Sequence, residues 1–184
     1  MNNIPNWLTL NRFLVLPIFI LGAYVDNYVF RIFLLCVYIV SAFTDFLDGY
    51  IARHFNMYTN FGRIFDPISD KALVIIILLT IMLRSQYVAK FIFIPLTLII
   101  LREIIISGLR EGLSSQKIEV HVTKLAKYKT ATQMVAVSFL LAGSKILPFF
   151  HLEIVGIVLL WIATIITLVS GIDYLIKSKK YLNS

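Results

Sequence analysis

The stretch Val29–Leu83, VFRIFLLCVYIVSAFTDFLDGYIARHFNMYTNFGRIFDPISDKALVIIILLTIML, sets an apolar run on either side of a segment carrying Asp45, Asp48, Asp66 and Asp70. The chain of 184 residues has only ten acidic residues, and four of them fall here. The flanking runs, Val29–Ile51 and Phe65–Leu83, are close to the 20 or so residues that carry a helix across a hydrocarbon core of roughly 30 Å. Further out the pattern repeats at Thr9–Val25, Val88–Leu109, Leu125–Leu141 and Glu153–Ile176. Only 15% of residues are charged, against about a quarter in a soluble domain. The mean hydropathy is +0.87. These features exclude a water-soluble domain and predict an all-α integral membrane bundle of six transmembrane helices, a single domain over residues 1–184.

The separators VDNY, the segment around RHFNMYTN, RSQ, REGLSSQKIEVHVTK and GSKILP hold turn formers or charges. The N-terminus lacks the basic start and small-residue cleavage site of a signal peptide, so it is read as retained. With both termini on the cytoplasmic side, Arg31, Arg84, Lys90 and Lys145 fall outside, and the other thirteen of the seventeen basic residues fall inside or near that side. The formal net charge of +7 is then mostly a collar facing anionic lipid, and no nucleic-acid partner is expected. The single cysteine, Cys36, lies in an apolar run, and His54, His121 and His151 show no ligand spacing. Neither a disulfide framework nor a zinc site is predicted.

Asp45 and Asp48 are three apart near the inner end of the second helix, and Asp66 and Asp70 are four apart at the start of the third. Each pair shares a helical face, and a loop of roughly a dozen residues between the two apolar runs brings both to the same membrane side. A carboxylate at mid-membrane costs about 2.5–3.5 kcal/mol on insertion scales, so four together need neutralising. Two divalent cations match that charge, and all-oxygen ligands suit Mg²⁺, Mn²⁺ or Ca²⁺. Such a pair of metals is what a phosphoryl-type displacement uses. Gly49 and Gly62 allow close backbone approach, and Arg53 can pair with a diphosphate. Pro67 marks either the first turn of the third helix or a kink within it.

Asp45, Asp48, Gly49, Ala52, Arg53, Gly62, Asp66 and Asp70 together resemble the complete CDP-alcohol phosphatidyltransferase signature, DxxDGxxARx₈GxxxDxxxD. IPNWLTLNR, DPISDK, REIIISGLR and KYKTATQMVA are similar to the branch whose acceptor is glycerol 3-phosphate. The resemblance implies a homodimeric six-helix enzyme of the bacterial inner membrane, with its active site and both termini on the cytoplasmic side. It also implies two Mg²⁺ ions, with Mn²⁺ as an alternative, held by Asp45, Asp48, Asp66 and Asp70. Asp70 would be the general base beside Asp66 and Arg53. Asn6, Thr9, Gly49, Arg53, Thr59 and Gly62 would bind the donor CDP-diacylglycerol. The implied reaction moves the phosphatidyl group to the hydroxyl of glycerol 3-phosphate, giving phosphatidylglycerophosphate and CMP.

The acceptor's own phosphate needs cations other than the metals. Arg102 and Arg110 lie two turns apart on one helical face, and Lys127 and Lys129 open the fifth helix from the same side. These four are the predicted acceptor-phosphate site; the competing reading makes the lysines ordinary positive-inside residues. Glu103 is a neighbour able to neutralise Arg102 or to pair across helices. An inositol phosphate acceptor fits the same cations, and a divalent-cation transporter is the alternative outside enzymes.

Overall fold

The computed structural model describes the backbone of residues 4–25, 27–55, 60–115, 125–146 and 151–182, and the side chains of residues 13–25, 27–44, 65, 68–69, 71–114, 128–143 and 151–181. Among these residues six helices follow the six apolar runs and no strand occurs: α1 (Ile4–Gly22), α2 (Tyr28–Phe55), α3 (Asn60–Arg84), α4 (Gln86–Ser115), α5 (Leu125–Ile146) and α6 (Leu152–Leu182). Each is longer than its apolar run. The predicted loop of about a dozen residues between the second and third helices is shortened, because the segment ARHF continues α2 to Phe55 and NFGRI begins α3 at Asn60. Pro67 consequently lies inside α3 rather than in its first turn.

Polar residues at the helix junctions satisfy the end groups that a helix leaves open. Asn27 Oδ1 accepts from the Val29 amide at 2.9 Å, capping α2. Ser85, the single residue between α3 and α4, accepts from the Val88 amide at 3.3 Å. At the end of α1, Thr80 Oγ1 from α3 lies 2.9 Å from the Phe19 carbonyl, and Arg84 Nη2 donates to the Val25 carbonyl at 3.1 Å. Pro95, inside α4, has no amide for the carbonyl four residues earlier. That carbonyl belongs to Phe91, and Trp161 Nε1 of α6 donates to it at 3.2 Å. The carbonyl that the proline leaves open is thereby turned into a tie between two helices.

Contacts join α5 to α6 most extensively, then α1 to α3 and α4 to α6, while α2 and α3 both lean on α5. The core holds Phe19, Leu34, Tyr38, Ile77, Leu78, Ile92, Val137 and Leu160, all essentially inaccessible. Along α6 the inward face carries Gly156, Leu160, Ala163, Thr164, Thr167, Ser170, Gly171, Tyr174 and Ser178 at three- and four-residue spacing. Small residues there let backbones approach closely, the packing that helices use where lipid removes the hydrophobic drive. α5 turns out of helical geometry at Gly143, with φ 58° and ψ 178°, a conformation essentially restricted to glycine.

Outward, the bundle is apolar. Val29, Val40, Leu83, Ile104 and Ile176 are each more than 60% exposed, and so much exposed apolar surface marks a membrane-facing exterior. Gln86–Ser114 and Leu152–Tyr181 are long and apolar enough to cross a bilayer, with shorter apolar segments at Phe13–Gly22 and Tyr28–Thr44.

Candidate active site

Asp45, Asp48, Gly49 and Arg53 lie in the last three turns of α2, and Gly62, Asp66 and Asp70 in the first three turns of α3. Phe55 and Asn60 end and begin those helices, so the two ends are within roughly 18 Å, the most that five residue steps span. The side chains of these seven residues, of Asn6 and Thr9 in α1, and of Lys127 in α5 lie outside the described ones, as does Thr59 altogether.

The described neighbours of the aspartates define a cavity of about 230 Å³. Ser41 and Ala42, one turn before Asp45, line it from α2, and Lys71, the residue after Asp70, lines it from α3. The described residues next to both aspartate-bearing segments therefore line the same cavity. Leu96, Ile99 and Glu103 of α4 and Lys129, Thr130, Gln133 and Met134 of α5 complete the wall. Tyr38 at its side is buried, with its hydroxyl donating to the Met134 carbonyl at 3.2 Å.

The cavity's charged wall is organised by Glu103. Lys129 Nζ pairs with Glu103 Oε1, Arg102 Nη1 with the same oxygen at 3.0 Å, and Lys71 Nζ with Oε2 at 3.3 Å. Three helices thus deliver three cations to one largely buried carboxylate. Lys71 also donates to Ser107 Oγ, one turn beyond Glu103 on α4. Arg102 is fixed from behind: Nη2 donates to Ser170 Oγ at 3.1 Å. A Cβ at Gly171 would lie 3.0 Å from Arg102 Cγ, so a larger residue there would press on this side chain.

Of the four residues predicted to hold an acceptor phosphate, the structure brings Arg102 and Lys129 together at Glu103, and of the three with described side chains Lys129 lines the cavity. Arg102 and Arg110 share a face, as their spacing requires, but that face is turned to α6: Arg110 is exposed and stacks over the Tyr174 ring at 5.8 Å. Lys71 was missed as a site residue. The signal was present, since it is the only basic residue between Arg63 and Arg84 and stands where α3 becomes continuously apolar. An ammonium there needs a partner on a neighbouring helix.

A family model described as CDP-alcohol phosphatidyltransferase matches residues 2–169. This chain belongs to the CDP-alcohol phosphatidyltransferase family. Relatives extend the likeness over nearly the full length. A Rickettsia felis protein named CDP-diacylglycerol–glycerol-3-phosphate 3-phosphatidyltransferase is 43% identical over 179 residues, covering 97% of both chains. Proteins of the same name from Shigella flexneri serotype 5b, 37% identical over 94% of this chain and 93% of its own, and from Cereibacter sphaeroides, 34% identical over 98% and 97%, also match. Beside an apolar exterior, the described residues thus form a largely apolar cavity with one charged wall, set by Glu103, Lys71 and Lys129.

Proposed function

We propose that this chain transfers the phosphatidyl group of CDP-diacylglycerol to glycerol 3-phosphate, the reaction named for its relatives. The observation that supports the reading is that residues adjoining both signature segments, Ser41 and Ala42 on α2 and Lys71 on α3, line one cavity together with Lys129. In this reading all six helices cross the bilayer as one domain, with both termini and the cavity mouth cytoplasmic, in the homodimer implied by the family resemblance.

The donor set fits a hard divalent cation: four carboxylates from adjacent helix ends, with no thiolate or imidazole in the signature. Asp45, Asp48, Asp66 and Asp70 are assigned to two Mg²⁺ ions, or Mn²⁺ in their place. When bound, these would neutralise the diphosphate and the departing CMP. The chain's own residues do the remainder. Arg53, Gly49, Gly62, Thr59, Asn6 and Thr9 hold the CDP part, while the acyl chains stay in lipid against the apolar exterior. Asp70 takes the proton from the acceptor hydroxyl as its oxygen attacks the β-phosphorus. A carboxylate in a cationic setting is a weak base, so proton removal runs alongside attack. Lys129 and Lys71 face the acceptor's phosphate from the cavity wall, with Lys127 nearby in sequence. Arg102 acts through Glu103, and Arg110 stands at the cytoplasmic end of α4, braced on Tyr174.

The test is CMP release by detergent-purified protein supplied with CDP-diacylglycerol and, in turn, glycerol 3-phosphate, inositol phosphate and serine. Release with glycerol 3-phosphate, loss of turnover in a folded Asp70→Asn variant, and inhibition by a divalent-metal chelator are expected. Release only with inositol phosphate, or divalent-cation flux in proteoliposomes without CMP formation, would overturn the assignment.

A further inference from the structure

Three cations meeting one carboxylate leave the Glu103 cluster about two positive charges in excess. Lys71, Arg102 and Lys129 come from α3, α4 and α5, and Glu103 is their common anion. On the functional reading above, on which this inference rests, the four signature carboxylates are engaged by metal and none is left to balance the lysines. An excess of that size inside a bundle calls for an anion of matching charge. A phosphate monoester carries about −1.5 to −2 at pH 7, and the cavity of about 230 Å³ opens at this wall.

The contacts of the cluster are unequal. Arg102 is anchored away from the cavity by Ser170 and packs against Gly171, and it neighbours Glu103 in sequence. Lys71 and Lys129 both line the cavity and reach Glu103 from other helices. An arriving dianion can therefore take the two lysines while Glu103 keeps Arg102. We propose that Glu103 is a stand-in anion: a positioning residue that holds Lys71 and Lys129 in place for the phosphate of the acceptor and yields them to it on binding. The arrangement has two effects. It spares the empty site two unpaired ammonium groups, and it lowers affinity for any anion that carries too little charge to displace a carboxylate.

A role confined to holding the helices together and a stand-in role predict opposite signs on removal of the charge. In Glu103→Gln, inorganic phosphate binding to purified protein without donor, followed by calorimetry or by the phosphate-dependent rise in unfolding temperature, should tighten about tenfold. The KM for glycerol 3-phosphate should fall in step. Phosphate affinity unchanged or weakened would overturn the proposal. Glu103→Asp keeps the charge but withdraws it by one methylene, which safeguards the test if the glutamine variant does not fold. It should tighten phosphate binding by about threefold, and equal or weaker binding again overturns the idea. Because inorganic phosphate binding needs neither donor nor turnover, failure here with normal CMP release in the wild type would remove the stand-in role and leave the proposed reaction intact.

Discussion

Gly171→Ala tests whether Arg102 governs the cavity from behind. The new Cβ would sit 3.0 Å from Arg102 Cγ and 3.1 Å from Nε, whereas carbon atoms prefer about 3.5–4.0 Å. The side chain must give by a few tenths of an ångström. The Nη2–Ser170 distance of 3.1 Å then leaves the usual range of about 2.7–3.2 Å. Losing a hydrogen bond from a charged group costs about 1.5–3 kcal/mol, and the higher helix propensity of alanine returns about 0.8–1.0 kcal/mol. The net expectation is a loss of about 0.5–2 kcal/mol in unfolding experiments in detergent. With Arg102 displaced, Glu103 draws harder on Lys71 and Lys129. A shift of about 1 kcal/mol there raises the KM for glycerol 3-phosphate roughly fivefold, with kcat within twofold. A variant about 1 kcal/mol more stable than wild type, with an unchanged KM, would refute this account of Arg102.

Two further substitutions probe the scaffold. Gly143→Ala places a side chain at φ 58° and ψ 178°, with its Cβ 3.0 Å from Arg31 Nη1 and 3.2 Å from Glu153 Oε1. Thermal unfolding should show a loss of at least the 1–3 kcal/mol or so attached to such backbone strain, while acceptor KM stays unchanged because the site lies at the opposite end of α5. Trp161→Phe should cost about 0.5–1.5 kcal/mol, the worth of one hydrogen bond. Pro95→Ala restores the amide donor that the Phe91 carbonyl lacks, so in that background the tryptophan substitution should cost measurably less, read from a double-mutant cycle.

Much of the architecture was legible because lipid imposes a simple rule: each apolar run long enough to cross becomes a helix. Helix number and order among the described residues follow from that rule. Helix ends did not, since hydropathy falls where a helix leaves the apolar layer although its backbone continues, as in α2 through Arg53–Phe55. Within the site, Arg102 and Arg110 were rightly placed on one face, but spacing along α4 cannot say which neighbour that face meets. Serine and glycine on α6, unremarkable in sequence, decide it. Glu103 could be read as a partner for Arg102, yet its hold on Lys71 and Lys129 depends on three helices meeting, which no local pattern encodes.

The bond from Trp161 to the Phe91 carbonyl gives this protein a built-in optical gauge. There are only two tryptophans, Trp7 and Trp161, so replacing Trp7 leaves one indole whose emission depends on whether its N–H is engaged. That indole spans α4 and α6, the helices that carry Glu103 and Arg102 on one side and Ser170 and Gly171 on the other. Any sliding between them as the charged wall changes partners would alter the fluorescence without an added label.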